Sequence, residues 1–88
     1  MIQNFLNEFT ELKNEEKARH LSRFFKTGKG DYGEGDVFLG LTVPQTRAIA
    51  KKFYKEMPLD EIQELLKSSF HEIRLGALLM CVLKYQRG

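Results

Sequence analysis

Gly28-Lys-Gly-Asp-Tyr-Gly33 spells G-x-G-x-x-G, the pattern in which glycine amides approach a dinucleotide pyrophosphate. That chemistry needs a strand before the first glycine and a helix directly after the last. Here helical periodicity precedes Gly28, and eight residues separate Gly33 from Thr42, the next helix-start signal. No lysine-serine pair of a phosphate loop is present. Asp31, Glu34 and Asp36 do not make a calcium loop either: they are too few, and the closing glutamate of such a loop would fall on Thr42. The glycines by themselves read as a turn-rich connector.

The remaining chemically capable side chains are equally unsupported as sites. His71-Glu72 lacks the second zinc-ligating histidine, because the i+4 position is Leu75. His20 has no histidine or cysteine near it. Cys81, the single cysteine, lies inside the apolar run Ala77–Leu83 and reads as a small core residue rather than a nucleophile. The expectation is a protein without metal or nucleotide cofactor and without cysteine chemistry.

Charge distribution is more informative than the net charge of +2. Residues 13 to 29 carry Lys13, Lys17, Arg19, Arg23, Lys26 and Lys29 against Glu15 and Glu16. Residues 44 to 57 carry Arg47, Lys51, Lys52 and Lys55 against Glu56, whereas Pro58–Glu72 carries four acids against Lys67. Basic segments therefore flank the glycine-rich stretch. A basic stripe suits phosphate contacts, which are salt-sensitive and blind to sequence. A solvated helix face is the competing reading of the same residues.

The elements that must position these groups are all helical. Ile2, Phe5, Leu6, Phe9 and Leu12 recur at helical spacing and predict a helix over 2–12. Asn14 is a candidate N-cap for a second helix, with Glu15 and Glu16 in its first turn and Ala18, Leu21, Phe24 and Phe25 as its apolar face. Gly28 is its expected stop. Residues 28–41 hold five of the seven glycines and read as a loop, whose second half (Val37, Phe38, Leu39, Leu41) is apolar enough to pack on a core. Thr42-Val-Pro-Gln45 is a capping-box helix start, and that helix runs to about Met57 on Ala48, Ile49, Phe53 and Met57. Pro58 opens a fourth helix with Ile62, Leu65 and Leu66 inward. Ser69-Phe-His-Glu72 reads as a capping box for a fifth helix reaching Tyr85, apolar all round at Ala77–Leu83 and so expected to be covered on several sides.

With 88 residues, 42% apolar and 30% charged, the chain is at most one small domain. Asn4, Asn7, Glu8 and Glu11 interrupt any signal-peptide core. The longest apolar run is far short of the roughly 20 residues of a membrane span. One cysteine fits a reducing compartment, so a cytoplasmic location is expected. Short helices joined by tight connections, and Arg47-x-x-Ala50 echoed by Arg74-x-x-Ala77, suggest stacked helix pairs.

At the loop these observations converge on a known pattern. Lys26-Thr-Gly-Lys-Gly-Asp-Tyr-Gly-Glu-Gly-Asp-Val-Phe-Leu-Gly40, followed by Val43-Pro44, Arg47 and Ala50-Lys51, resembles the AlkD-type DNA alkylation repair family. Leu65-Leu66, Ser68, His71-Glu72, Arg74 and Ala77-Leu78 match the same family. The resemblance implies an all-α fold, an α-α superhelix of HEAT-like antiparallel helix pairs with about five helices here and one long Gly-rich loop. It implies a duplex DNA partner held in a basic groove, excision of positively charged N3- and N7-alkylated purines by hydrolysis of the N-glycosidic bond, and no cofactor. Catalysis in the family relies on an aspartate beyond the fifth helix and on tryptophans. This sequence contains no tryptophan, so residues 1–88 are expected to form the N-terminal part of such a domain without its catalytic aspartate. The DNA-backbone candidates are Lys26, Lys29, Arg47, Lys51 and Lys52, with Arg74 a structural alternative. Self-association through the last helix is a further expectation, and a non-catalytic repeat module for protein or DNA binding is the alternative function.

Overall fold

The computed structural model describes residues 1–24 and 37–87. Five helices follow in order: α1 (Ile2–Leu12), α2 (Glu15–Phe24), α3 (Val43–Phe53), α4 (Leu59–Leu65) and α5 (His71–Arg87). No strand occurs among the described residues, where the one extended pairing is an isolated parallel bridge between Val37 and Phe70. The chain is all-helical, and the arrangement is consistent with an α-helical repeat fold.

The local start signals operate largely as the sequence states them. Asn14 caps α2, its Oδ1 accepting the Lys17 amide at 3.0 Å. Thr42 Oγ1 accepts the Gln45 amide at 3.2 Å while Gln45 Oε1 accepts the Thr42 amide at 2.9 Å, a complete capping box that satisfies two otherwise orphaned donors. Pro58 stands at the N-cap of α4. The third helix stops at Phe53 rather than near Met57. Tyr54 is its C-cap, and one further helical turn is closed by the Met57 amide on the Phe53 carbonyl at 3.1 Å.

The core is built from α1, α3, α4 and α5 with the 38–41 segment laid across it. Phe5, Phe9, Met57, Ile62 and Met80 are its largest fully buried apolar side chains. Phe5 packs edge-on against Phe53, with ring centroids 5.6 Å apart at 88°, and tilts against Phe9 at 4.9 Å. Gly76 of α5 permits this: a Cβ there would lie 3.0 Å from Phe9 Cζ and 3.2 Å from Phe5 Cζ. A mid-helix glycine costs about 1 kcal/mol against alanine, a cost offset by the close approach of two aromatic rings.

Four inward assignments made from periodicity are corrected. Ala48 is exposed, and Thr46 and Ala50 take the buried positions on α3. Leu66 turns outward. Phe24 is 77% exposed and so is no core residue. Finally, α5 is not covered on every side: Ala77 and Met80 are buried, whereas Leu78 and Val82 are 53% and 44% exposed. On α3 the stripe is real but its centre lies one or two residues away, because neighbouring elements decide which part of an apolar arc is covered, and on α2 no residue is buried. No described helix is long and apolar enough to cross a membrane.

Candidate nucleic-acid interface

The site begins with α3. Its buried side is Thr46, Ile49, Ala50 and Phe53, which forces the polar residues between them outward. Arg47, Lys51 and Lys55 all lie exposed. Arg47 and Lys51 stand one turn apart on the outward face of α3, about 6 Å along its axis, and Lys55 follows in the turn beyond the helix end. Lys52 sits at the margin of this face and turns toward α1. Its Nζ is 2.7 Å from Glu8 Oε2 and lies 5.8 Å from the centroid of the Phe53 ring. Lys55 was not among the sequence candidates, and its register with Arg47 and Lys51 was the signal that could have found it. Lys26 and Lys29 lie outside the described residues. Arg74, in the first turn of α5, is tied down by its Nη1 donating to the Ser68 carbonyl at 2.8 Å.

What fixes the direction of α3 is a buried carboxylate. Glu72 is 2% exposed, and its two oxygens accept three successive backbone amides of the 37–41 segment. Oε1 takes Leu39 N at 2.9 Å, and Oε2 takes Gly40 N at 2.8 Å and Leu41 N at 3.3 Å. The sequence reading made Glu72 the reach-back partner of a Ser69 capping box, and that assignment is corrected. The helix begins at His71, whose own amide donates to the Val37 carbonyl at 2.7 Å, so Glu72 lies in the first turn with its side chain directed across the fold. Three adjacent amides converge on one anion only where the backbone folds back on itself, and Gly40 provides that bend at φ +89°.

The same segment also holds α2. The Asn14 amide donates to the Leu39 carbonyl at 2.8 Å. The end of the glycine-rich stretch, the N-terminus of α2, the entry to α3 and the N-terminus of α5 therefore meet at one point. Phe38 packs its ring 4.7 Å from that of His71. A cavity of about 130 Å³ beside them is walled by Leu21, Leu41, Val43, Thr46 and Leu75. No group of histidine, cysteine or acidic residues among the described residues could hold a metal ion. Cys81 is partly buried against the core, as its setting in an apolar run suggested.

Fold and site together define a protein, all-helical among the described residues, whose third helix turns Arg47 and Lys51 to solvent and is entered through the segment pinned by Glu72. Residues 5–88 match the family model described as DNA alkylation repair enzyme, and the chain belongs to that family, as the loop motif indicated. No curated protein and no solved structure matches the chain.

Proposed function

We propose that this chain supplies a DNA-backbone-binding face for the removal of positively charged N3- and N7-alkylated purines by N-glycosidic hydrolysis, within a superhelix of HEAT-like helix pairs and without a cofactor. The observation that carries this reading is the exposed pair Arg47 and Lys51 on a helix whose entry is locked by Glu72, continued by exposed Lys55 in the turn after it. Cations at a spacing of about 6 Å along one face meet successive phosphates without reading bases, which suits an enzyme that must scan duplex DNA of any sequence. Lys26 and Lys29, which precede this region in the sequence and lie outside the described residues, are assigned the same role. Lys52 contributes less, because its ammonium is engaged by Glu8. The catalytic carboxylate is not Glu72, which is buried and holds three backbone amides in place.

Binding is measured by fluorescence anisotropy with a duplex of about 20 base pairs between 50 and 200 mM salt. The logarithm of the association constant falls linearly with the logarithm of salt, and each phosphate contact contributes about 0.9 to the slope. Lys51→Ala and Lys55→Ala each lower the slope by about one contact and weaken all sequences alike, whereas Lys52→Ala changes it by less than half of that. An unchanged slope for both Lys51→Ala and Lys55→Ala would remove α3 and the turn after it as the contact face.

Incubation of the 88-residue chain with methylated DNA is expected to release no 7-methylguanine. Release of the free base above the spontaneous rate, lost on mutation of a carboxylate within residues 1–88, would place the chemistry in this chain.

A further inference from the structure

The charges of α1 and α3 are opposite in sign, and the two helices pack together. Between Ile2 and Leu12 the charged residues are Glu8 and Glu11 alone, whereas α3 carries Arg47, Lys51 and Lys52 and no acid. Beneath this boundary the edge-on contact of Phe5 with Phe53 locks the helices to each other. Lys52 lies about 100° around the helix from Lys51, so its side chain leaves the Arg47–Lys51 face and turns toward α1. There the ammonium is held from two directions, by Glu8 Oε2 at 2.7 Å and by the Phe53 ring at 5.8 Å. Glu8 is the better-held partner, with its side chain 31% exposed against 61% for Lys52. An open groove of about 380 Å³ runs here, walled by Asn4, Asn7, Glu8, Glu11, Lys52 and Phe53. Its wall sets one cation against two carboxylates, so a phosphate approaching α3 from this side meets net negative charge.

We infer that Glu8 is a positioning residue for the phosphate face proposed above, on which this role rests: it keeps Lys52 out of the contact with DNA and so fixes the side of α3 along which the backbone lies. Its carboxylate takes the place on the ammonium that a phosphate oxygen would otherwise fill. Exposed ion pairs are individually weak, and a phosphate could in principle displace this one. Displacement, however, would leave the Glu8 carboxylate beside the incoming phosphate with Glu11 on the same groove wall, and that repulsion among like charges favours the original pair. No acid of α3 opposes a phosphate at Arg47 or Lys51. The duplex is thereby confined to the Arg47, Lys51 and Lys55 side, and α1 stays outside its footprint. The pair also holds down the number of phosphate contacts, which limits non-specific affinity.

Salt titrations of duplex binding test this on Glu8→Gln, Lys52→Ala, the double variant of the two, and Lys51→Ala as the reference for the phosphate face. Glu8→Gln keeps the size of the side chain but frees the ammonium. It should steepen the salt slope by about one contact, or about 0.9. Binding at about 50 mM salt tightens severalfold, and the gain fades toward about 1 M as counterion release loses its force. The double variant should return to within half a contact of the wild-type slope, and Lys52→Ala alone should differ little from wild type. All four keep the helical circular dichroism of the wild type, because the pair lies at the surface. If net charge alone mattered, Glu8→Gln and Lys52→Ala would shift affinity equally and in opposite directions, and that result would overturn the inference. So would a slope that Glu8→Gln leaves unchanged while Lys51→Ala lowers it, an outcome in which the phosphate face itself stands. Slopes indifferent to both Glu8→Gln and Lys51→Ala would take down the face, and the role of Glu8 with it.

Discussion

Glu72→Ala is expected to lower the unfolding free energy by at least about 3 kcal/mol. The substitution removes the acceptor of three buried amides, those of Leu39, Gly40 and Leu41. The cost is that of each stranded donor, about 1–3 kcal/mol, rather than the smaller net value of a hydrogen bond. Three donors give at least about 3 kcal/mol, and more where water cannot reach them. A domain of this size has a total stability of only about 5–15 kcal/mol. Glu72→Gln separates the contribution of charge from that of shape: a neutral carboxamide of nearly the same volume keeps one acceptor oxygen and presents an NH₂ to the remaining donors. It should fall between wild type and Glu72→Ala in urea midpoint. If Glu72→Ala shifts the midpoint by less than the equivalent of about 1 kcal/mol, the three hydrogen bonds do not hold the 37–41 segment in solution.

The second large effect belongs to Gly40. An alanine there would place its Cβ 2.0 Å from the Asn14 carbonyl oxygen, 2.9 Å from the Asn14 carbonyl carbon and 3.0 Å from the Ala18 amide nitrogen. All three are backbone atoms at the start of α2, so no side-chain rotation relieves the overlap. The φ of +89° adds a further 1–2 kcal/mol or so for any L side chain. Relief requires α2 to move away from the segment, which breaks the hydrogen bond from the Asn14 amide to the Leu39 carbonyl. A loss of about 3–5 kcal/mol follows. For a domain of 60–100 residues each kcal/mol lowers the melting temperature by about 4–8 °C, so Gly40→Ala should melt at least about 12 °C below wild type. Asn14→Ala, which removes the cap but not the close approach, provides the contrast at about 1 kcal/mol. Equal melting temperatures for the two variants would mean that the cap, and not the contact, fixes α2.

Both substitutions act on the same structural knot, and that knot connects stability to function. The glycine-rich stretch is joined to the basic helix α3 through Leu39, Gly40 and Leu41. The proposed phosphate contacts of α3 depend on the direction this join gives the helix. Variants that weaken the join without unfolding the chain should therefore lose duplex affinity before they lose helix content, a difference readable by comparing anisotropy titrations with circular dichroism on the same samples.

The sequence by itself determined the elements. Helix periodicity located α1, Asn14 and Thr42 announced two helix starts, Pro58 announced a third, and the loop motif identified the family. These are local signals, carried by neighbours within four residues, and local sterics and capping act on them regardless of the rest of the chain. The outward cations of α3 were legible for the same reason, since an amphipathic helix places them opposite its apolar residues. Tertiary structure decided what depends on distant partners. Glu72 looked like a capping residue because a capping box is read over three positions, yet its amides come from 31 to 33 residues earlier in the chain. Lys52 was indistinguishable from Lys51 until α1 brought Glu8 within 2.7 Å, across 44 residues. The apolar run of α5 specified a helix but not its surroundings, and only packing against α3 and α4 settled that Met80 is buried while Leu78, Val82 and Tyr85 face outward. Burial is a property of the assembled fold: an apolar side chain states what it prefers, and the neighbours present decide whether the preference is met.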